Sequence, residues 1–271
     1  MYNFSICAIM KDEPETHIKE WVHYHRVVGV EHFCIYDNGS TIKIADTLKN
    51  EVAAGFVSVI PFPGSSAQMP STTNFIHNYG KFTRFAAVID ADEFLVPKTK
   101  NIVPEILEDY DKDGIGAFNV SWLIFGSSGI IEKIPDDKLV IESYIRSMKT
   151  DNVESKHTKA ILVRPGERAL RAGSNPHYCV YNKGFTAVSE DFVPVPNAWA
   201  EHKSDKLVLH HYCLKSLNNF KDKIAKPRAD KHTIQGKTLD DFYRFDKDCT
   251  EDNKDIFRFI PQVKEEMAKY K

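Results

Sequence analysis

Three carboxylates fall within four positions at Asp90, Asp92 and Glu93, at the end of the apolar run Phe85-Ala86-Ala87-Val88-Ile89 and just before Phe94-Leu95. Isolated carboxylates at the edge of a core are costly to bury, so such a group calls for a partner, often a divalent cation. The alternative is a pair of turn-forming or helix-capping side chains. Two further Asp-x-Asp triplets, Asp111-Lys112-Asp113 and Asp246-Lys247-Asp248, sit in polar sequence and read as solvated surface. A second set of candidates lies in Leu207-Val208-Leu209-His210-His211-Tyr212. Adjacent strand residues point to opposite faces, so at most one of the two histidines reaches a site. After it comes a basic run, Lys215, Lys221, Lys223, Lys226 and Arg228, starting where Ser216 can cap a helix. One or two of these could grip a diphosphate, Lys215 first; the rest suit a solvated face. His23 and His25 are two apart on a helix and form no metal pair.

The elements that must position these groups alternate. Phe4 to Met10 reads as a strand, and Asp12 and Pro14 suit the start of a helix whose apolar face carries Ile18, Trp21, Val22, His25 and Val28 before Gly29. His32 to Tyr36 is a second strand, followed by the turn Asp37-Asn38-Gly39-Ser40 and a helix from about Ile42 to Asn50. Phe56 to Ile60 is a third strand, Ser71 to Tyr79 a helix and Phe85 to Ile89 a fourth strand. This alternation predicts an α/β fold with a mostly parallel sheet. Ligands in such sheets bind at the carboxyl ends of the strands, where Lys11-Asp12-Glu13, Asp37-Asn38 and Asp90-Ala91-Asp92 all fall.

Composition bounds the function. The 271 residues are 42% hydrophobic and 27% charged with net charge −2, ordinary for a globular protein and without a basic field for nucleic acid. Apolar runs are too short to span a bilayer, which leaves at most peripheral membrane association, and the first residues read as a strand rather than a signal peptide. Five scattered cysteines without Cys-x-x-Cys spacing point to a reduced, cytoplasmic compartment. No Gly-x-Gly-x-x-Gly follows the first strand and no Gly-x-x-x-x-Gly-Lys-Ser/Thr loop occurs, which argues against dinucleotide oxidoreductases and P-loop nucleotidases. A carboxylate pair at a strand end can instead hold a metal that stabilises a nucleoside diphosphate leaving group, as in nucleotide-sugar-dependent transferases of the GT-A fold.

Ordered blocks then carry a resemblance. Lys11-Asp12-Glu13, Glu20-Trp21-Val22-His23-Tyr24-His25 and Tyr36-Asp37-Asn38-Gly39-Ser40 look like the opening of glycosyltransferase family 92 and related family-2-like transferases. Ile89-Asp90-Ala91-Asp92-Glu93-Phe94-Leu95 resembles their Asp-x-Asp-Glu-Phe block, Trp122-Leu123-Ile124-Phe125-Gly126 their Trp-x-x-Phe-Gly block, and His211-Tyr212-Cys213-Leu214-Lys215-Ser216 their His-Tyr-x-x-Lys-Ser block. Phe85 and Ala86 stand where many relatives carry a tryptophan.

The resemblance implies a GT-A fold with an elaborated C-terminal acceptor half: one domain over 1–271, with a nucleotide-sugar half at 1–97, an acceptor and metal-completing half at 98–230 and a helical tail at 231–271. It implies Mn²⁺ or Mg²⁺ held by Asp90, Asp92 and His211, with Asp90 meeting the metal, a metal-bound water or the ribose. Lys11, Glu13, Asp37, Asp90 and Lys215 would contact a UDP-sugar donor, although Asp37 also fits ordinary turn chemistry. Trp122 and His177 would line the sugar or acceptor site, with Trp122 equally at home in the core. The acceptor would be a glycan or lipid-linked glycan of a surface polysaccharide or lipopolysaccharide, and no nucleic acid is involved. For an inverting base, Glu142 and Asp191 are alternatives among Glu132, Asp136, Asp137 and Glu190. The rival chemistries are a phosphohydrolase with Asp90 as nucleophile and a non-catalytic nucleotide- or glycan-binding module.

Overall fold

The fold is taken from a computed structural model that describes residues 1–225 and 238–271. The first half is built as expected from βαβ units. The strands are β1 (Tyr2–Met10), β2 (His32–Asp37), β3 (Val57–Pro61) and β4 (Thr83–Val88), with helix α1 (Glu15–Val27) after β1 and α2 (Gln68–Asn78) after β3. The expected helix at 42–50 is instead two short turns, Ile44–Thr47 and Lys49–Ala53. Asp12 does not cap α1. It adopts a left-handed φ of 50° and its carboxylate accepts the Thr41 N–H at 2.7 Å, tying the β1 and β2 ends together.

The second half adds β5 (Glu93–Pro97), β6 (Ile115–Ile124), β7 (Thr158–Val163), β8 (Thr186–Val188) and β9 (Leu207–His211). The nine strands form one sheet in the order β3-β2-β1-β4-β7-β6-β9-β5, with β8 also on β6. The pairs β3/β2, β2/β1, β1/β4, β6/β9 and β6/β8 are parallel, while β7 is antiparallel to both neighbours and β5 is antiparallel to β9. β4 and β5 stand four places apart in that order, about 19 Å in a flat sheet. The link between them, residues 89–92, spans at most about 17 Å when extended and is here a turn. The sheet must therefore curl, and the curl folds the Asp-x-Asp turn back onto the end of β9.

Helices α3 (Leu217–Ile224), α4 (Leu239–Asp248) and α5 (Ile260–Ala268) complete the described chain. α5 packs on α1, with Tyr270 stacked on His23 at 5.2 Å. Among the described residues no helix is long and apolar enough to cross a membrane. All five cysteines are buried and none is in a disulfide.

Neither polar Asp-x-Asp triplet is simply solvated. The Asp111 carboxylate accepts from Arg84 (2.9 Å), Arg164 (2.8 Å) and Arg168 (3.0 Å), and this holds it down to about 2. Asp246 accepts from Ser127 N at 2.6 Å and Oγ at 3.0 Å, docking α4 against the Phe125-Gly126 corner. A Cβ on Gly126 would lie 2.7 Å from the Asp246 carboxylate and from Cys249 Cβ, so glycine is needed for this close approach. Both triplets were misread because their partners lie 27 or more residues away.

Candidate active site

The turn after β4 is locked from several sides. Glu93 N donates to Asp90 O (3.1 Å), Asp90 N donates to Glu93 Oε2 (2.7 Å), and Tyr212 N donates to Asp92 O (2.8 Å). Asp90 then uses both carboxylate oxygens within the protein: Oδ1 accepts from Gln68 Nε2 of α2 and Oδ2 from Lys159 Nζ of β7, each at 2.8 Å. Lys159 is 1% exposed and lies 3.4 Å from Glu93 Oε2 as well. Burial alone would raise Asp90, but the Lys159 ammonium outweighs it and keeps the carboxyl below its ordinary range. For Glu93 burial wins over Lys159 and pushes the carboxyl up to about 8.

Asp92 faces the open side. Its Oδ1 lies 3.4 Å from His211 Nε2, and its Oδ2 accepts from Lys223 Nζ of α3 at 2.7 Å. Burial opposes ionisation here too, and Lys223 followed by His211 overcomes it, so Asp92 is held well below the usual carboxylate range. His211 arrives because β9 pairs antiparallel with β5, placing His211 opposite Glu93. Strand alternation turns His210 to the other face, where it is fully buried 4.5 Å from the Phe125 ring and pushed down to about 3 by that burial.

Past the strand, Lys215 takes a left-handed φ of 54° and brings Nζ within 3.1 Å of His17 Nδ1 at the start of α1. Burial and then Lys215 hold His17 near 3, so its neutral nitrogen accepts from the ammonium. Glu13, His17, Asp92, Lys133, Lys215 and Lys223 are among the walls of one cleft of about 220 Å³. The Asp92 carboxylate, with His211 behind it, and several ammonium groups facing the same space suit a diphosphate with its counter-cation.

Asp92 and His211 fit a divalent cation. An ion about 2.1 Å from both Oδ1 and Nε2 would subtend roughly 110°, wider than the roughly 90° of an octahedral shell, so the two atoms would have to close from 3.4 Å to about 3.0 Å to share it. Asp90 accepts one hydrogen bond on each oxygen, from Gln68 and Lys159, and has a lone pair left on each with which it could join such an ion directly or through a water. Among the described residues no three His, Cys, Asp or Glu side chains form a ready cage, so water or phosphate oxygens would complete the shell.

The remaining expected residues are distributed as follows. Lys11 is exposed. Asp37 accepts from Ser40 N on Oδ1 (2.8 Å) and from Ile44 N on Oδ2 (3.2 Å), the turn chemistry that its sequence also allowed. Trp122 packs against His211 at 4.2 Å and His177 at 4.8 Å. Glu142 accepts from Leu139 N (3.1 Å) and Lys264 Nζ (2.6 Å) and lines an adjoining groove of about 660 Å³. Asp191 is exposed and paired with Lys203 at 2.9 Å. Its neighbour Glu190 accepts the N–H groups of Asp205, Lys206 and Leu207, at the opposite end of β9 from His211. The structure therefore does not bring Asp191 to Asp92, whereas Glu13 and Asp136 do line the cleft. Lys226 and Arg228 lie outside the described residues.

Three contributors escaped the sequence reading. Lys159 could have been noticed as a lone charge in the strand Thr158-Lys159-Ala160-Ile161-Leu162-Val163. Gln68 and His17 carry no comparable signal.

The model of glycosyltransferase family 92 matches residues 2–245. The chain belongs to glycosyltransferase family 92. Two curated proteins of this family are similar to it, one from Ricinus communis (24% identical over 228 residues, 83% of this chain and 38% of that protein) and one from Oryza sativa subsp. japonica (25% over 130 residues, 47% and 22%). The chain thus spans well under half the length of these family 92 relatives. Among solved structures, S. aureus TarS 1–349 aligns over 60% of this chain and 47% of its own at 11% identity, with a TM-score of 0.38.

Proposed function

We propose that this family 92 chain is a glycosyltransferase that moves a sugar from a UDP-sugar to a glycan hydroxyl with inversion, assisted by Mn²⁺ or Mg²⁺. The observation that carries the reading is the Asp92–His211 pair at the carboxyl edge of the sheet, of which Asp92 lines a cleft together with Lys215 and Lys223. Asp92 and His211 would hold the cation, which when bound would supply positive charge against that developing on the departing diphosphate. Lys215 and Lys223 bind the phosphates, and the Lys159–Asp90–Glu93 group fixes the turn that presents Asp92. Glu13 or Asp136 is placed to accept the proton of the acceptor hydroxyl, since both carboxylates line the cleft.

A phosphohydrolase with Asp90 as nucleophile is disfavoured, because Asp90 is not among the residues that line the cleft. The test is UDP release from a panel of UDP-sugars with Mn²⁺, with Mg²⁺ and with chelator, against mono- and oligosaccharide acceptors. Metal-dependent release from one donor supports the proposal. Absence of release from every donor, combined with hydrolysis of a phosphomonoester, sinks it.

A further inference from the structure

The part of the molecule beside the donor cleft that these roles leave unused is aromatic. Trp199 is 45% exposed, by far the most accessible of the three tryptophans, since Trp21 is fully buried and Trp122 is 9% exposed. It is not loose. Thr158 N donates to Ala198 O and Ala200 N to Lys156 O, each at 3.0 Å, pinning both flanks of Trp199 to the start of β7. Asn197 Oδ1 accepts the Trp199 N–H at 2.9 Å. The indole is thereby held 3.8 Å from the His157 imidazole, tilted by 40°, with part of its surface in solvent.

From this point rings lead inward to the metal pair. His157 lies 5.3 Å from His177 and 5.1 Å from Trp122, and Trp122 lies 4.2 Å from His211. His177 has its Nδ1 on Thr158 O at 3.0 Å, while its Nε2 has no hydrogen-bond partner among the described residues. Burial, then the nearby Lys159 ammonium, holds His177 near 3 and hence uncharged, so Nε2 is an acceptor.

We propose that Trp199, His157 and His177 form the acceptor's saccharide subsite, with the Trp199 ring against the C–H face of a sugar ring and His177 Nε2 accepting from one of its hydroxyls. An exposed, rigid aromatic face beside the uncharged His177 acceptor nitrogen matches a pyranose, which has an apolar face and a hydroxyl-bearing edge. A charged acceptor group would instead need a countercharge, and the two lysines of this segment are already paired, Lys156 with Glu201 and Lys159 with Asp90, each at 2.8 Å. The subsite rests on the glycosyltransferase reading and adds to it the side chains that hold the acceptor's sugar ring.

The test is ligand-observed saturation-transfer NMR with methyl glycosides and short oligosaccharides of glucose, galactose and N-acetylglucosamine, in the presence of UDP and Mn²⁺. Wild type, Trp199→Ala and Trp199→Phe are compared, and a UDP thermal shift is recorded for each as a control. Wild type is expected to bind at least one saccharide, Trp199→Ala to bind it about tenfold or more weakly, and Trp199→Phe to recover most of that loss, with the UDP shift equal in all three. Equal saccharide binding by wild type and Trp199→Ala overturns the subsite, as does UDP binding by a wild type that takes no saccharide of the panel. A wild type that binds neither UDP nor saccharide removes the subsite and the donor reading together, and the UDP control separates that case from failure of the subsite alone.

Discussion

Replacing Lys159 by methionine separates a structural cation from a dispensable one. The ammonium is buried, 2.8 Å from Asp90, whose side chain is 33% exposed, and 3.4 Å from the fully buried Glu93, and its removal leaves the Asp90 carboxylate without its countercharge. Breaking a buried ion pair from one side costs about 3–5 kcal/mol, whereas exchanging the whole ionic group for neutral residues is close to neutral. At roughly 2–4 °C per kcal/mol for a chain of this size, Lys159→Met should lower the melting temperature by about 6–20 °C. The triple variant Lys159→Met/Asp90→Asn/Glu93→Gln should recover most of that loss, because no charge is then stranded. Urea denaturation of wild type, single and triple variants reads both numbers. A single variant within about 1 kcal/mol of wild type, or a triple variant no better than the single, would refute the reasoning.

Further outcomes follow from the same geometry. Glu93 has its folded pKa raised from 4.5 to about 8, so the stability it contributes is complete below about 4.5 and is lost as pH rises to 8. Glu93→Gln should therefore remove up to about 1.4 kcal/mol per pH unit of decline between pH 6 and 8, measured by urea denaturation across that range; an unchanged slope counts against a neutral Glu93. Asp111→Ala strands Arg84, Arg164 and Arg168, two of them partly exposed and able to turn to water, so a loss of about 2 kcal/mol is expected rather than the full cost of a buried pair. Gly126→Ala forces a methyl to within 2.7 Å of Asp246 and Cys249, and calorimetry should show a loss of about 1–3 kcal/mol.

How far the sequence reached depended on whether a contact was local. The βαβ half was legible because β1, β2, β3 and β4 each carry a continuous apolar run, and because strand ends in a parallel sheet share one edge. His211 was separable from His210 by alternation combined with the family resemblance, and the structure places the two on opposite faces. Position along a strand was not legible. Asp191 looked suitably spaced from Asp92 in number, yet it sits at the opposite end of β9 from His211. Nor was the countercharge of the turn, since Lys159 is 69 residues from Asp90 and meets it only through the antiparallel insertion of β7 and the curl of the sheet. Asp37 showed the opposite case, where an Asp-Asn-Gly turn explains its carboxylate locally.

The central claim is that Asp92 and His211 hold the cation of a nucleoside diphosphate donor. The most direct measurement is the melting temperature of wild type and Asp92→Asn with UDP and Mn²⁺, separately and together. At about 100 times its dissociation constant a ligand adds about 2.7 kcal/mol, roughly 5–11 °C here. The expected result is a shift with UDP that needs Mn²⁺ and disappears in Asp92→Asn, whose own melting temperature remains measurable. A UDP shift of equal size in both proteins, or none in a well-folded wild type, would contradict the claim.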